Sequence, residues 1–236
     1  MGRVAKAGGT VAIVPARGGS KGVPRKNLRM LRGRPLIDYS IRAGLDARQV
    51  DRVIVSTEDR EIAKVAQVLG AEVIDRPAAL AEDAAPMMDV VVHALGVLER
   101  GGRRVEVVVL LQPTSPLRTA GDVDAAVSRF KEGGCDSVVS VCRAEHPPQW
   151  SFTLEGGLLR PLLDPGFLRM RRQDLPETYT TVGAIFVSTP SFIRKSGSFF
   201  AGRTAPYVMP PERGVDIDTE VDLALAELLL GRAGPG

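Results

Sequence analysis

Hydrophobic and polar residues alternate along the first half of the chain in a way that predicts strands and helices in turn. Short apolar runs predict strands at residues 10–16, 52–56, 72–74, 106–111 and 137–141. Apolar residues spaced three or four positions apart predict helices at residues 36–44, 59–69, 87–99 and 120–132. This alternation is typical of an α/β protein with a mostly parallel sheet, in which the continuous apolar run at 106–111 is a central strand.

The regular alternation stops between residues 146 and 204, where prolines, glycines and short mixed runs prevail. We interpret this stretch as an inserted β-rich lobe, with strands near residues 151–154 and 181–187. The α/β pattern resumes with a strand near 207–209 and a helix over 219–230, which Asp218 or Thr219 is suited to cap. The chain is therefore predicted to be one domain, residues 10–230, with flexible tails at residues 1–9 and 231–236.

The composition restricts the possible classes of function. The chain has 236 residues, of which 44% are hydrophobic and 25% are charged, as in an ordinary globular protein. The net charge of +3 is too small to indicate nucleic-acid binding, and no apolar segment is long enough to span a membrane. The two cysteines, Cys135 and Cys142, lack the spacing of a metal or redox motif, which favours reduced thiols and a cytoplasmic location.

A basic, glycine-rich loop follows the first predicted strand. It contains three glycines and five cations, namely Gly18, Gly19, Gly22, Arg17, Lys21, Arg25, Lys26 and Arg29. Glycines allow the backbone to approach a ligand closely, and exposed amides together with cations bind polyphosphate. The spacing fits neither the Walker A loop nor the dinucleotide-binding fingerprint. A solvated basic turn is the alternative, but the position at the carboxyl end of a strand favours a nucleoside triphosphate as ligand.

Two carboxylates lie just before the last predicted helix. In an extended chain Asp216 and Asp218 point to the same side, because they are two residues apart. Two carboxylates combined with phosphate oxygens are a usual way to bind Mg²⁺. The alternative is a helix cap and one surface aspartate, but the glycine-rich loop favours the metal site.

Two further polar segments follow predicted strands. Residues 111–118 read Leu-Gln-Pro-Thr-Ser-Pro-Leu-Arg, which brings Gln112, Thr114, Ser115 and Arg118 to the same edge of the sheet and favours contact with a substrate. Arg76 and Asp83 follow another strand, and they either contact a nucleotide or form a structural ion pair. No Ser-His-Asp or Cys-His arrangement is found, so a covalent enzyme intermediate is not indicated.

These segments, in this order, resemble the acylneuraminate cytidylyltransferase family, which includes CMP-sialic acid synthetases and synthetases for related nine-carbon acids. The matching segments are residues 16–28, 54–59, 76–81, 111–118 and 215–222. The resemblance implies a Rossmann-like fold with helices on both faces of the sheet and a small lobe that exchanges contacts across a homodimer. The activity it implies is transfer of CMP from CTP to an acid sugar, most directly a nonulosonic acid such as N-acetylneuraminate, with release of pyrophosphate.

The resemblance also gives the candidate residues their roles. It implies that Arg17 and Lys26 bind the triphosphate and that Asp216 and Asp218 hold Mg²⁺, and we take these residues as catalytic. The candidate nucleotide-binding residues are Gly18, Gly19, Ser20, Lys21, Asn27, Arg76 and Asp83. The candidate acceptor-binding residues are Gln112, Thr114, Ser115, Arg172, Phe186, Phe199 and Phe200, of which the last two match an aromatic pair that the partner subunit offers to the acceptor.

The chain departs from the family pattern where the acceptor is expected. Val182 and Phe186 stand where sialic acid enzymes usually have asparagine and tyrosine, and a family lysine is replaced at or near Gln149 and Trp150. The family pattern of the CTP site is kept, whereas that of the acceptor site is altered. Two alternatives follow, namely transfer of CMP to a different acid, such as an eight-carbon acid sugar or a phosphonate, and a catalytically silent nucleotide-binding module.

Overall fold

A computed structural model describes residues 9–232 of the protein. Within these residues the chain forms eleven strands, β1 (Gly9–Pro15), β2 (Met30–Leu31), β3 (Arg34–Pro35), β4 (Arg52–Thr57), β5 (Glu72–Asp75), β6 (Val105–Leu110), β7 (Ser137–Arg143), β8 (Phe152–Glu155), β9 (Leu158–Pro161), β10 (Tyr179–Ser188) and β11 (Thr204–Val208). The same residues form six α-helices, α1 (Leu36–Asp46), α2 (Arg60–Val68), α3 (Met87–Arg100), α4 (Ala120–Lys131), α5 (Pro190–Ser196) and α6 (Glu220–Arg232). The strands and helices predicted in the first half of the chain are confirmed to within two residues at each end.

Seven of the strands form one central sheet in the order β11-β7-β10-β6-β1-β4-β5. All neighbouring strands are parallel except β10, which runs antiparallel to β6 and β7. β1 and β6 lie near the middle, and Val11 to Ile13 of β1 pair with Val108 to Leu110 of β6. The sheet is therefore mostly parallel, as predicted, and the carboxyl ends of β1, β4, β5 and β6 lie along one edge.

Both faces of this sheet are covered by helices. Alternate side chains of β1 point to opposite faces, so that Ala12 and Val14 pack in one buried cluster with residues of α1, α2 and α4. Val11 and Ile13 pack in a second cluster with residues of α3 and α5. Because both faces are buried, the strands are continuous apolar runs, and this explains why the pattern at 106–111 predicted a central strand.

Side chains at the helix starts fix where the loops end. Asp59 caps α2 by accepting hydrogen bonds from the amides of Glu61 and Ile62 at 2.9 and 3.0 Å. Thr119 and Asp122 form a capping box at the start of α4. Thr219 and Asp222 form the same reciprocal contacts at the start of α6, so of the two predicted caps it is Thr219 that serves.

The predicted insertion at residues 146–204 contains elements of two kinds. β8 and β9 form a separate hairpin, whereas β10 is a strand of the central sheet and α5 covers that sheet. The separate lobe is therefore confined to the residues between β7 and β10. The tails predicted at residues 1–9 and 231–236 reach too far into the chain, because Gly9 begins β1 and α6 ends at Arg232. The remaining tail residues, 1–8 and 233–236, lie outside the described part.

None of the helices formed by residues 9–232 has the length and apolar character that a membrane span requires.

Candidate functional site

A cavity of about 270 Å³, here called the strand-end cavity, lies where β1, β5 and β6 end. In open α/β sheets this edge is the usual place for a ligand. Residues from all four segments singled out in the sequence contribute to its wall. The lining residues are Pro15, Arg17, Gly19, Ser20, Lys26, Asn27, Arg76, Met87, Gln112, Pro113, Thr114, Asp216 and Asp218.

The three glycines of the first loop have different surroundings. A Cβ atom on Gly18 would collide with the Asp59 carboxylate, and one on Gly22 would collide with the backbone carbonyl of Asp218. A Cβ atom on Gly19 would meet nothing within 4 Å, and Gly19 lines the cavity. Gly18 and Gly22 are therefore required by packing within the protein, whereas Gly19 keeps space open for a ligand.

The amide of Gly18 is already hydrogen bonded within the protein. It donates to Oε1 of Glu58 at 2.7 Å, and the other carboxylate oxygen of Glu58 is buried without a partner in the described part of the chain. Glu58 thus holds the start of the loop, a role that the sequence analysis missed. Residues 54–59 resemble the family pattern, and this resemblance was the one feature of the sequence that pointed to Glu58.

The five cations of the loop divide into two groups. Arg17 and Lys26 line the cavity. Arg25 instead bonds Asp59 at 2.7 Å, Arg29 bonds Glu220 at 3.1 Å, and the exposed Lys21 bonds Asp83 at 2.7 Å. Two of the five predicted cations therefore face the site, and the others tie the loop to neighbouring segments.

Asp83 connects two residues that were predicted to bind a nucleotide. Its carboxylate lies 2.7 Å from both Arg17 and Lys21, and the hydrogen bond from Lys21 is the main cause that keeps the pKa of Asp83 below its usual value. The ion pair between Arg76 and Asp83 that was left open as an alternative does not form, because Asp83 pairs with Arg17 and Lys21 and Arg76 bonds Ser56. Asp83 itself is not among the cavity-lining residues.

Asn27 and Arg76 are buried polar residues in the cavity wall. The amide nitrogen of Asn27 donates to the carbonyl of Arg17 at 2.8 Å, which fixes the loop next to the guanidinium of Arg17. Arg76 is 5% exposed, and its Nη2 donates to the carbonyl of Ser56 at 2.5 Å. Burial lowers the pKa of Arg76, and the nearby carboxylate of Glu58 opposes that shift.

The segment after β6 has both cavity-facing and buried positions. Gln112 and Thr114 line the cavity, whereas the Ser115 side chain is fully buried and its hydroxyl has no partner among the described residues. A Cβ atom on Gly183 would collide with the Gln112 carboxamide oxygen, so this glycine of β10 allows Gln112 to occupy its position. Ser115 therefore lies behind the cavity wall rather than in it.

Arg118 joins three elements behind the cavity. It is 3% exposed, and it donates to the carbonyl of Ala184 and the hydroxyl of Ser40, both at 2.7 Å, and to the carbonyl of Gln112. Burial lowers the pKa of Arg118 to about 9, although the negative charge of Asp216 opposes the shift. At neutral pH the guanidinium is charged and fixes the backbone that carries Gln112.

The acidic pair lies in an irregular segment just before α6. Asp216 and Asp218 both line the cavity, while Ile217 between them is fully buried and donates its amide to the carbonyl of Thr114 at 2.8 Å. Lys26 Nζ lies 3.0 Å from the Asp218 carboxylate and 2.6 Å from the carbonyl of Ile217. The first loop and the acidic segment therefore meet directly.

The donor set suits Mg²⁺. Residues 9–232 contain no cluster of three or more His, Cys, Asp or Glu side chains that could hold a metal. Mg²⁺ is commonly held by one or two carboxylates together with substrate phosphates and water. Asp216 and Asp218 offer two hard oxygen ligands facing the same cavity as the loop cations, and this pair fits that requirement.

The remaining acceptor candidates lie outside the strand-end cavity. Arg172 lines a different cavity in the lobe, with His146 and Trp150, and donates to the carbonyl of Glu145 at 2.7 Å. The structure places Phe186 and Phe199 in the apolar core, 8% and 3% exposed, because their rings pack 5.3 Å apart beneath α3 and α5. Only Phe200 of the predicted aromatic pair is exposed, at 55%.

The chain is similar to known cytidylyltransferases. Residues 11–152 match the profile of a family described as Cytidylyltransferase. The chain is 37% identical over 226 residues to N-acylneuraminate cytidylyltransferase A of Danio rerio, covering 94% of this chain but 51% of that protein, so it spans about half the length of that relative. It is 36% identical to the CMP-N,N'-diacetyllegionaminic acid synthase of Legionella pneumophila, and 93% of this chain covers 95% of that enzyme.

Among solved structures, the fold is similar to that of a CMP:2-keto-3-deoxy-manno-octonic acid synthetase complexed with CTP. The TM-score is 0.68 at 17% sequence identity, and the match covers 95% of this chain and 99% of that one.

Proposed function

The chain belongs to the cytidylyltransferase family, and from this premise we propose that it transfers CMP from CTP to an acidic sugar, with Mg²⁺, and releases pyrophosphate. The observation that carries the proposal is the meeting of Arg17, Lys26 and Asp216 in one strand-end cavity. These groups come from the two ends of the chain, and together they supply the positive charge and the carboxylate that a nucleoside triphosphate with a divalent cation requires.

The reaction is an in-line displacement at the α-phosphorus of CTP. An oxygen of the acceptor forms the new bond to phosphorus, the bond to the bridging oxygen breaks, and pyrophosphate leaves with that electron pair. The acceptor oxygen loses its proton, which ends in solvent. Arg17 and Lys26 stabilise the negative charge that develops on the phosphate oxygens, and the hydrogen bond from Asn27 to the carbonyl of Arg17 fixes the loop that carries them.

Asp216 and Asp218 would hold the Mg²⁺ ion. When bound, the ion would neutralise phosphate charge in the same cavity. The ion pair between Lys26 and Asp218 keeps the Asp218 carboxylate beside the loop cations. Arg118 lies behind the cavity wall, where it bonds the carbonyl of Gln112, and its positive charge is attracted to Asp216.

We propose a nonulosonic acid as the acceptor. The relatives named above act on N-acylneuraminate and diacetyllegionaminic acid, according to their names, and the chain covers nearly all of the Legionella enzyme. An altered acceptor is the second candidate, because the positions of the expected asparagine and tyrosine are occupied by Val182 and Phe186, which are both 8% exposed and apolar. Such a chain would use an eight-carbon acid sugar or a phosphonate instead.

We propose that the lobe forms the interface of a homodimer. Its hairpin exposes several large apolar side chains, including Leu154 at 73% and Leu158 and Leu159 at 65% each. Leu154 pairs with Leu159 across the hairpin, so these two side chains share one face, and an exposed apolar patch of this kind marks an interaction site in many proteins. A second copy of the chain would cover this surface and bring Phe200 and Arg172 toward a shared acceptor site.

The test is release of pyrophosphate from CTP with N-acetylneuraminate, legionaminic acid, pseudaminic acid, an eight-carbon acid sugar and a phosphonate as separate acceptors. We expect turnover with a nonulosonic acid that depends on Mg²⁺ and falls by about 100-fold in Asp216→Asn. Glu106→Gln is the matched control, because that carboxylate lies at the opposite end of β6. Absence of pyrophosphate release with every acid, from folded protein that binds CTP, would support a silent nucleotide-binding module instead.

A further inference from the structure

We infer that the protein has a second ligand-binding site, for a small organic anion with an apolar body, between α1, α6 and the start of α4. The cavity there, called the arginine cavity below, has a volume of about 640 Å³ and is larger than the strand-end cavity. This size lies within the range of small-molecule sites, roughly 300–1,000 Å³. The inference does not rest on the proposed transfer of CMP.

Charge in the wall of the arginine cavity is predominantly positive. Among the described residues, five arginines line it, namely Arg34, Arg42, Arg118, Arg213 and Arg232. Two acidic residues line it, Asp46 and Glu212. Positive walls around a concave, low-dielectric space favour an anion.

Part of this charge is compensated within the protein, and part is not. Arg42 bonds Asp38 at 3.0 Å, and Arg213 bonds Asp122 at 3.1 Å. Arg34 also lies 3.8 Å from the carboxylate of Asp38, so Arg34 and Arg42 share one negative charge and their two positive charges are not balanced. A carboxylate, sulfonate or phosphate group of a ligand would supply the missing negative charge.

Most of the remaining wall is apolar. Leu117 comes from the segment before α4, and Leu229 and Leu230 come from the last turns of α6. An inorganic anion would leave these side chains without contacts. A ligand that combines a negative group with an aliphatic or aromatic body uses both parts of the wall.

The arginine cavity lies directly behind the strand-end cavity. No described residue lines both, but Arg118 lines the arginine cavity and donates to the carbonyl of Gln112, which lines the other. The two ligands therefore occupy separate spaces, and both can be bound at once.

The experiment is a fluorescence titration of the full chain with anilinonaphthalenesulfonate, an aromatic sulfonate, in the presence of saturating CTP. We expect saturable binding of one probe per chain, weakened about tenfold in the double variant Arg34→Gln, Arg232→Gln and abolished in Leu229→Trp, which fills the space. Phenylnaphthylamine, which lacks the sulfonate, should bind more weakly to the wild-type protein and be unaffected by the arginine substitutions. Circular dichroism and thermal unfolding establish whether each variant is folded. If Leu229→Trp does not fold, the arginine double variant tests the inference.

Three results would overturn the inference. The first is no saturable binding of the sulfonate probe. The second is weaker binding of the probe with saturating CTP than without CTP, which would locate the probe in the strand-end cavity. The third is loss of binding in Leu158→Ser, a substitution in the exposed lobe, with no change in Leu229→Trp. None of these readouts depends on turnover, so they are distinct from failure of the proposed function.

Discussion

Lys26 and Asp218 lie 192 positions apart in the chain, and the ammonium nitrogen of Lys26 is 3.0 Å from the carboxylate of Asp218. The same nitrogen is 2.6 Å from the carbonyl of Ile217. The Lys26 side chain is 12% exposed and that of Asp218 is 76% exposed, so the lysine is held from the protein side while the carboxylate remains open to a ligand. This contact brings the phosphate-binding loop and the acidic pair into one site.

Replacing Lys26 with methionine should therefore abolish most activity. We expect Lys26→Met to lower kcat of pyrophosphate release by about 100-fold or more, because the charge is removed next to the phosphates while the aliphatic stem is kept. The matched control is Arg29→Met in the same loop, whose half-exposed ion pair with Glu220 lies outside the cavity. The control should lose less than about 1 kcal/mol of stability and keep its activity. Equal loss in both variants would mean that the loop needs positive charge in general and not Lys26.

The glycine-rich loop offers a comparison between two glycines. We expect Gly22→Ala to lower the free energy of unfolding by about 1–3 kcal/mol, because its Cβ atom meets the Asp218 carbonyl. Gly19→Ala should leave the melting temperature unchanged, since nothing lies within 4 Å of its Cβ atom, but it should raise KM for CTP about tenfold. Thermal unfolding and steady-state kinetics on both variants separate the two roles. A normal KM in Gly19→Ala would show that the ligand does not approach this position.

The hydrogen bond between Tyr207 and Asp122 predicts a loss of stability at alkaline pH. Burial, together with the 2.8 Å bond to the Asp122 carboxylate, raises the pKa of Tyr207 from 10.0 to about 12. Between these two values the folded state binds more protons than the unfolded state, so the free energy of unfolding falls as pH rises through that window. After allowance for solvent screening, we expect a loss of about 1 kcal/mol.

The measurement is urea denaturation between about pH 9 and pH 12 on the wild-type protein and on Tyr207→Phe. Lysines and other tyrosines titrate in the same range, so the contribution of Tyr207 is the difference between the free energies of unfolding of the two proteins. This difference in free energy should shrink as pH rises. A constant difference would mean that Tyr207 titrates at its ordinary pKa.

The sequence predicted the central sheet well because strands buried on both faces are continuous apolar runs. It did not predict that Tyr179–Ser188 belongs to this sheet, because an apolar run does not reveal the direction of its strand or its neighbours. The hairpin strand Leu158–Pro161 was missed as well, since its side chains are exposed and its pattern resembles a loop.

The site was predictable to the extent that it consists of strand ends. Parallel strands end at one edge, which brought Arg17, Arg76 and Gln112 together on sequence grounds. Glu58 and the buried part of the site were not predictable in this way, because their partners are distant in sequence and are chosen by packing. The rings of Phe186 and Phe199 also pack together in the core, and the sequence does not distinguish a core aromatic from one that contacts a ligand.

Arg118 should be among the most important residues for stability. Its guanidinium bonds α1, the segment after β6 and β10 at once, and lysine cannot reproduce three directed hydrogen bonds. We expect Arg118→Lys to lower the free energy of unfolding by about 3 kcal/mol, measured by urea denaturation, because buried carbonyls lose their donors. The partly exposed Arg129→Lys should change it by less than about 0.5 kcal/mol. A loss below about 1 kcal/mol for Arg118→Lys would show that water or neighbouring groups replace the guanidinium.

The last prediction concerns the lobe. Leu154 of β8 and Leu159 of β9 are paired across the hairpin, so their side chains lie on the same face, and they are 73% and 65% exposed. If this face forms the homodimer interface, the double variant Leu154→Ser, Leu159→Ser should be monomeric in light scattering at a concentration where the wild type is a dimer. It should keep the wild-type melting profile of the central sheet, because neither side chain belongs to a buried cluster. Val68→Ser on α2, which is 87% exposed, is the matched control and should remain dimeric. A dimeric double variant would show that the interface lies elsewhere on the protein. A monomeric wild type would contradict the proposed homodimer.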